Sequence, residues 1–126
     1  MTYAQMLNAY FALPVIKKAR LPYVKARAIY EVSKSIEIEY AFFAEEEKKL
    51  IACYAEKDKN NQPKIKDGKV LFSDTSTKHQ YEESLKQLLN TEITASIAPI
   101  KLGQDDFSDP ISADTIASLD TIIQFE

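Results

Sequence analysis

The chain has 126 residues and a formal net charge of −3 at neutral pH. With 45% hydrophobic and 28% charged residues, its composition is typical of a globular protein and excludes an intrinsically disordered chain. Only two glycines are present, which argues against a loop-rich all-β fold because such folds need many tight turns. This length predicts a single domain over residues 1–126.

The first helix is predicted near residues 3–12. Thr2 followed by Gln5 forms a capping box, in which a hydroxyl and an amide each satisfy an unpaired backbone N–H group. Pro14 is expected to end this helix, because proline lacks the N–H donor and disfavours helix in the preceding residue.

A long second helix is predicted over residues 22–57. Pro22 suits the first helical position, and no glycine or proline interrupts the chain after it until residue 63. Apolar residues recur at steps of three, four and seven, which predicts one apolar stripe along the helix. The stripe consists of Ile29, Val32, Ile36, Tyr40, Phe43, Leu50 and Tyr54. At about 1.5 Å per residue such a helix is about 50 Å long, so we expect it to bend, to protrude or to pack between chains.

Two shorter helices are predicted over residues 74–89 and 112–122. The first follows Ser73 and Asp74, and the second begins at Ser112. Serine and aspartate are preferred N-cap residues because their side-chain oxygens accept hydrogen bonds from the first helical N–H groups.

A small antiparallel sheet is predicted from a turn and an alternating segment. Asp67-Gly68 is typical of a two-residue hairpin turn, here within residues 63–72. Residues 92–98 alternate apolar and polar side chains, and we expect this strand to pair with the hairpin because an isolated hairpin is marginal in water. The expected apolar face consists of Ile65, Val70, Phe72, Ile93, Ala95 and Ile97. The fold class is therefore α+β and predominantly helical.

The residue types that carry catalysis or bind cofactors are sparse. His79 is the only histidine, expected at the surface, and Cys53 is the only cysteine, expected to be buried beside the apolar stripe. One residue of each kind cannot form a Cys/His zinc site within one chain. The two glycines, Gly68 and Gly103, are too far apart for a phosphate-binding loop. We therefore predict no catalytic residue, no cofactor and no metal.

Charge is distributed unevenly along the chain. Residues 1–34 have a balance of +5 and residues 102–126 a balance of −6, so the two regions either attract each other or offer docking faces. Nucleic acid is not an expected partner, because the isoelectric point is about 5.3 and no nucleic-acid-binding motif is present. The candidate interaction face consists of Lys64, Lys66, Lys69, Asp105, Asp106 and Asp109.

Four segments together resemble a family of small bacteriophage and prophage proteins for which no catalytic residues are assigned. They read "LPYVKARAIYEVSKSIE", "YAEKDKNNQPKIKDGKVLFSD", "LLNTEITASIAPIKL" and "ISADTIASLDTII", and the resemblance covers residues 21–123. It implies a phage-encoded protein located in the host cytoplasm or in the virion.

The expected function is non-enzymatic and depends on protein–protein contacts. The partner would be a phage structural protein, in the virion or during its assembly, or a second copy of the chain in a homo-oligomer. The alternative is an inhibitor of a host defence or regulatory enzyme, with the acidic C-terminal region in the basic cleft of the enzyme. No membrane is expected, because no apolar run approaches the roughly 20 residues that span a bilayer.

Overall fold

The computed structural model describes residues 1–126 and confirms a predominantly helical α+β fold. The helices are α1 (Tyr3–Lys17), α2 (Tyr23–Tyr54), α3 (Thr75–Leu89) and α4 (Ala113–Leu119), with one 3₁₀ turn at Gln104–Asp106. The strands are β1 (Ile65–Lys66), β2 (Lys69–Val70), β3 (Ile100–Leu102) and β4 (Ile123–Phe125). None of the helices is both long and apolar enough to cross a membrane.

The chain forms two compact units. Unit 1 comprises residues 1–41 and 92–126, and unit 2 comprises residues 42–91. The single domain expected from chain length stays a prediction.

The first helix begins where the sequence predicts and ends later. Thr2 and Gln5 form the capping box, with the Gln5 N–H donating to the Thr2 hydroxyl over 3.2 Å and the Thr2 N–H donating to the Gln5 side chain over 2.9 Å. The predicted end near residue 12 is wrong, because α1 continues through Pro14. Leu13 and Ile16 are buried on either side of the proline, and their packing offsets the one helical hydrogen bond that proline removes.

The apolar stripe predicted for α2 is confirmed at four of its seven positions, where the side chains are buried. In unit 1, Ile29, Val32 and Ile36 are buried, and in unit 2, Phe43 is buried. The helix ends at Tyr54 instead of residue 57. The remaining members of the stripe, Tyr40, Leu50 and Tyr54, are half-buried.

The hairpin of unit 2 has the predicted register but not the predicted burial. Ile65 pairs with Val70 across an antiparallel ladder, and the turn residues Asp67 and Gly68 have φ angles of +54° and +75°. A type I′ turn requires positive φ at both of these positions, which glycine adopts without steric cost. Ile65 is nevertheless 64% exposed, so the expected apolar face does not close over it.

The predicted strand over residues 92–98 does not pair with the hairpin. Glu92 forms only an isolated bridge with Thr2, and the next residues that belong to a strand are those of β3. Strand β3 pairs in parallel with β4, with Leu102 opposite Phe125. The predicted three-stranded antiparallel sheet is therefore replaced by two separate two-stranded sheets.

The alternation in residues 92–98 reflects burial without strand pairing. Ile93 is buried and Ala95 and Ile97 are half-buried, whereas the polar residues between them are exposed. Residues 96–100 border a cavity together with Val32 of α2. An extended segment that packs one side on a helix shows the same period of two as a half-buried strand, so the pattern alone does not identify a strand partner.

The C-terminal helix is shorter than predicted because the chain enters the core. Ser112 is the N-cap, as its hydroxyl accepts a hydrogen bond from the Thr115 N–H, but α4 ends at Leu119 and not at residue 122. Ile122 and Ile123 are then completely buried, and Ile123 starts β4. The largest fully buried side chains of unit 1 are Met6, Ile16, Ile36, Leu102, Leu119, Ile122 and Ile123.

Truncating Leu102 should destabilise the protein far more than truncating Ile65. Leu102 is 0% exposed, so Leu102→Ala should lower the free energy of unfolding by about 2–5 kcal/mol through lost burial and a cavity. Ile65→Ala changes a largely exposed side chain and should cost less than about 1 kcal/mol. Urea denaturation followed by circular dichroism measures both, and equal losses would contradict the placement of β3 in the core of unit 1.

Candidate interaction surface

Helix α2 carries a second apolar stripe on the side opposite its core-facing residues. The outer stripe consists of Tyr23, Val24, Tyr30 and Ile38, which are between 48% and 79% exposed. At about 3.6 residues per turn these side chains lie opposite Ile36, which is completely buried. All four belong to unit 1.

Two cations flank the centre of the outer stripe. The Arg27 guanidinium and the Lys34 ammonium each lie 5.2 Å from the centroid of the Tyr30 ring. They precede and follow Tyr30 by three and four residues, which places all three on one face of the helix. The Arg27 side chain also donates to the Glu31 carboxylate over 3.1 Å. The outer stripe therefore combines an aromatic centre with two cations, of which Arg27 is also paired with the Glu31 carboxylate.

Exposed apolar side chains are common on protein surfaces when they occur singly. Here they recur along one face of the longest helix, at separations of seven residues between Tyr23 and Tyr30 and fourteen between Val24 and Ile38. That spacing is visible in the sequence, but the stronger stripe centred on Ile36 masks it. The two stripes are distinguished by burial, because the stripe around Ile36 is buried and the outer stripe is exposed.

The predicted interaction residues fall into two groups, one in each unit. In unit 2, Lys66 and Lys69 are exposed neighbours across the hairpin, whereas Lys64 is half-buried and donates to the Glu56 carboxylate over 3.2 Å. In unit 1, Asp105 and Asp109 are exposed. The sixth residue, Asp106, has a structural environment.

Asp106 joins the start of α2 to the loop after β3. Its carboxylate accepts hydrogen bonds from the Gly103 N–H over 2.7 Å and from the Lys25 ammonium over 2.8 and 3.0 Å, and its side chain is 10% exposed. The Gly103 N–H, followed by Lys25, holds the pKa of Asp106 below its ordinary value. One basic residue of the N-terminal region thus pairs with one acid of the C-terminal region, within unit 1.

The two residues considered for catalysis lie at the surface. His79 is exposed in α3. Cys53 is also exposed, which corrects the expectation that it is buried: it precedes Tyr54 by one residue, and the 100° step of the helix carries it off the core-facing stripe. No group of three or more His, Cys, Asp or Glu side chains is arranged to hold a metal ion.

A groove of about 500 Å³ in unit 1 lies beside the 3₁₀ turn. Phe107, Ile111, Ile116 and Phe125 give it apolar walls, and Asp109 contributes a carboxylate. The sequence indicated a loop here but not a groove, because the walls come from the loop, α4 and β4 together.

Comparison of the chain with protein-family models, with curated proteins and with solved structures finds no match. The surface chemistry of the outer stripe is therefore the feature that bears on function.

Acidification should remove the contribution of Asp106 to stability. Because folding lowers the pKa of this carboxyl below 3.8, its stabilisation is fully present above that value and is lost as pH falls through the folded-state pKa. Asp106→Asn should therefore lower the free energy of unfolding at pH ~7, with a difference from the wild type that shrinks towards pH ~2. Urea titrations across this pH range provide the measurement.

The exposed neighbour supplies the control for that experiment. Asp105→Asn should leave the unfolding free energy close to wild type throughout the pH range. A destabilisation by Asp106→Asn that stays constant from neutral to acidic pH would mean that the ionised carboxylate is not the stabilising species.

Proposed function

We propose that this protein acts without catalysis, by binding another protein through the outer stripe of α2. The observation that carries the proposal is the row of large apolar side chains, Tyr23, Val24, Tyr30 and Ile38, exposed on one face of a regular helix. Covering such side chains contributes about 25 cal/mol per Å² of apolar surface removed from water, which favours association. A regular helix presents them with little conformational entropy left to lose.

The chemistry of the outer stripe specifies the kind of partner. Arg27 and Lys34 flank Tyr30, so the complementary surface should present an apolar strip with carboxylates beside it. An amphipathic helix with Asp or Glu at the edges of its apolar face meets these requirements, because anchors at helical spacing match a helical stripe. Burying Tyr30 at the centre, away from water, would strengthen its interaction with both cations.

The resemblance to phage and prophage proteins leads us to propose a phage structural protein as this partner, met in the virion or during assembly in the host cytoplasm. The rival proposal, inhibition of a host enzyme, draws support from the exposed carboxylates of Asp105 and Asp109. These lie on the loop after β3 and not on the outer stripe, so the two proposals place the contact on different surfaces of unit 1.

Photo-crosslinking from the outer stripe tests the proposal. With p-benzoylphenylalanine in place of Tyr30, irradiation of the host cells should yield a discrete adduct identified by mass spectrometry. Ile38→Asp in the same protein should reduce the adduct about tenfold or more, because it introduces a charge into the apolar contact. Ile65→Asp alters a similarly exposed isoleucine in unit 2 and should leave the adduct unchanged.

The identity and the sensitivity of the adduct decide between the alternatives. A phage structural protein supports the proposal, and an adduct between two copies that Ile38→Asp abolishes identifies a homo-oligomer, which sedimentation velocity would confirm. A host enzyme captured equally well after Ile38→Asp would favour inhibition through another surface. No adduct from position 30 would refute binding by the outer stripe.

A further inference from the structure

The groove beside the 3₁₀ turn has the size of a small-molecule binding site. Its volume of about 500 Å³ lies within the range of about 300–1,000 Å³ that is usual for such sites. The loop after β3, helix α4 and strand β4 all contribute to its lining, so the groove is walled by three elements of one unit. None of the four residues of the outer stripe lines it, so it is distinct from the surface proposed for partner binding.

Two aromatic rings and two isoleucines form the apolar part of the lining. The rings of Phe107 and Phe125 have centroids 6.4 Å apart, and both residues are half-buried, so part of each stays accessible. Ile116 is 38% exposed and Ile111 is half-buried. An apolar body that covers these side chains is removed from water, and a cation within about 6 Å of an aromatic ring face is attracted by that face.

The charged residues that line the groove are all acidic. They are Asp109 and Glu126, both exposed, and neither side chain forms an ion pair or a hydrogen bond. The Glu126 N–H donates to the Leu102 carbonyl over 2.9 Å, which holds this residue beside β3. Lys18 borders a neighbouring cavity together with Asp109 but forms no ion pair with it. Two uncompensated carboxylates therefore lie at the rim of an apolar groove.

We propose that this groove binds a small organic cation, an ammonium group on an aromatic or aliphatic body. The body packs against Phe107, Phe125 and Ile116, and the ammonium group is attracted by the carboxylates of Asp109 and Glu126. A neutral ligand of the same shape gains only the apolar contact, and an anion is repelled. The inference does not depend on the proposed function, since it concerns a different surface of unit 1.

Titration with three matched probes, followed by protein amide NMR shifts, tests the inference. The probes are 4-phenylbutylamine, 4-phenylbutanol and 4-phenylbutanoate, which share a phenyl ring and a four-carbon chain and differ in charge. We expect saturable shifts near Phe107, Ile116 and Phe125 with the amine. Two exposed ion pairs and a cation–π contact, each worth about a factor of two to three, should make the amine bind about tenfold tighter than the alcohol.

The order of the three affinities decides the outcome. The carboxylate should bind more weakly than the alcohol, and NaCl at ~1 M should reduce the preference for the amine to about threefold or less, because salt screens exposed charges. Equal affinities of amine and alcohol, or no saturable shift with any of the three probes, would overturn the inference.

Two variants locate the charge preference. Asp109→Asn together with Glu126→Gln should bring the affinities for amine and alcohol to within about twofold, because both carboxylates are gone. Asp105→Asn removes an exposed acid of the same loop region that does not line the groove, and it should keep the wild-type ratio. A preference that survives the double change, or that Asp105→Asn reduces equally, would refute the site.

A fourth probe tests that the ligand is a small molecule. The capped dipeptide N-acetyl-phenylalanyl-lysinamide carries a phenyl ring and an ammonium group on a peptide backbone. The amine should bind tighter than the dipeptide, because the groove is bounded by three elements and leaves the backbone of a peptide outside. Tighter binding of the dipeptide would contradict a small-molecule ligand and identify a basic segment of another protein as the occupant.

Discussion

The parallel pairing of β3 with β4 is the constraint on which unit 1 depends. It draws Ile122 and Ile123 into the core beside Leu102, and all three side chains are almost completely removed from water. For this to happen α4 must stop at Leu119, and the chain between β3 and α4 must cross the surface as a loop. Helix α1 packs against α4, so segments far apart in sequence share one hydrophobic core.

This core accounts for the two-sided character of α2. The apolar residues around Ile36 are buried within unit 1, so they are not accessible to a partner. When one apolar face of a helix is buried in the core and another is exposed, the exposed face is available for contact with a partner. This exposed face is the surface we propose for partner binding. Arg27 and Lys34 beside Tyr30 favour a partner with negative charge.

Charge contributes to architecture at one place and remains on the surface elsewhere. The sequence suggested that the basic N-terminal region and the acidic C-terminal region either attract each other or dock partners, and the answer differs from residue to residue. Asp106 is tied to Lys25 and to the Gly103 N–H, so it helps to hold the loop after β3. Its neighbour Asp105 remains exposed. Two adjacent aspartates thus have different roles, which composition cannot distinguish.

The sequence alone determined the helices, the capping box at Thr2, the N-cap at Ser112 and the hairpin turn at Asp67-Gly68. Each of these depends on hydrogen bonds and dihedral angles within a few residues. Only the tertiary structure decided the partner of β3, the end of α4, the exposure of Ile65 and which apolar stripe of α2 stays outside. These depend on competition for burial between segments distant in sequence. The period of the apolar residues predicts which face of an element is buried, but it does not predict which other segment covers that face.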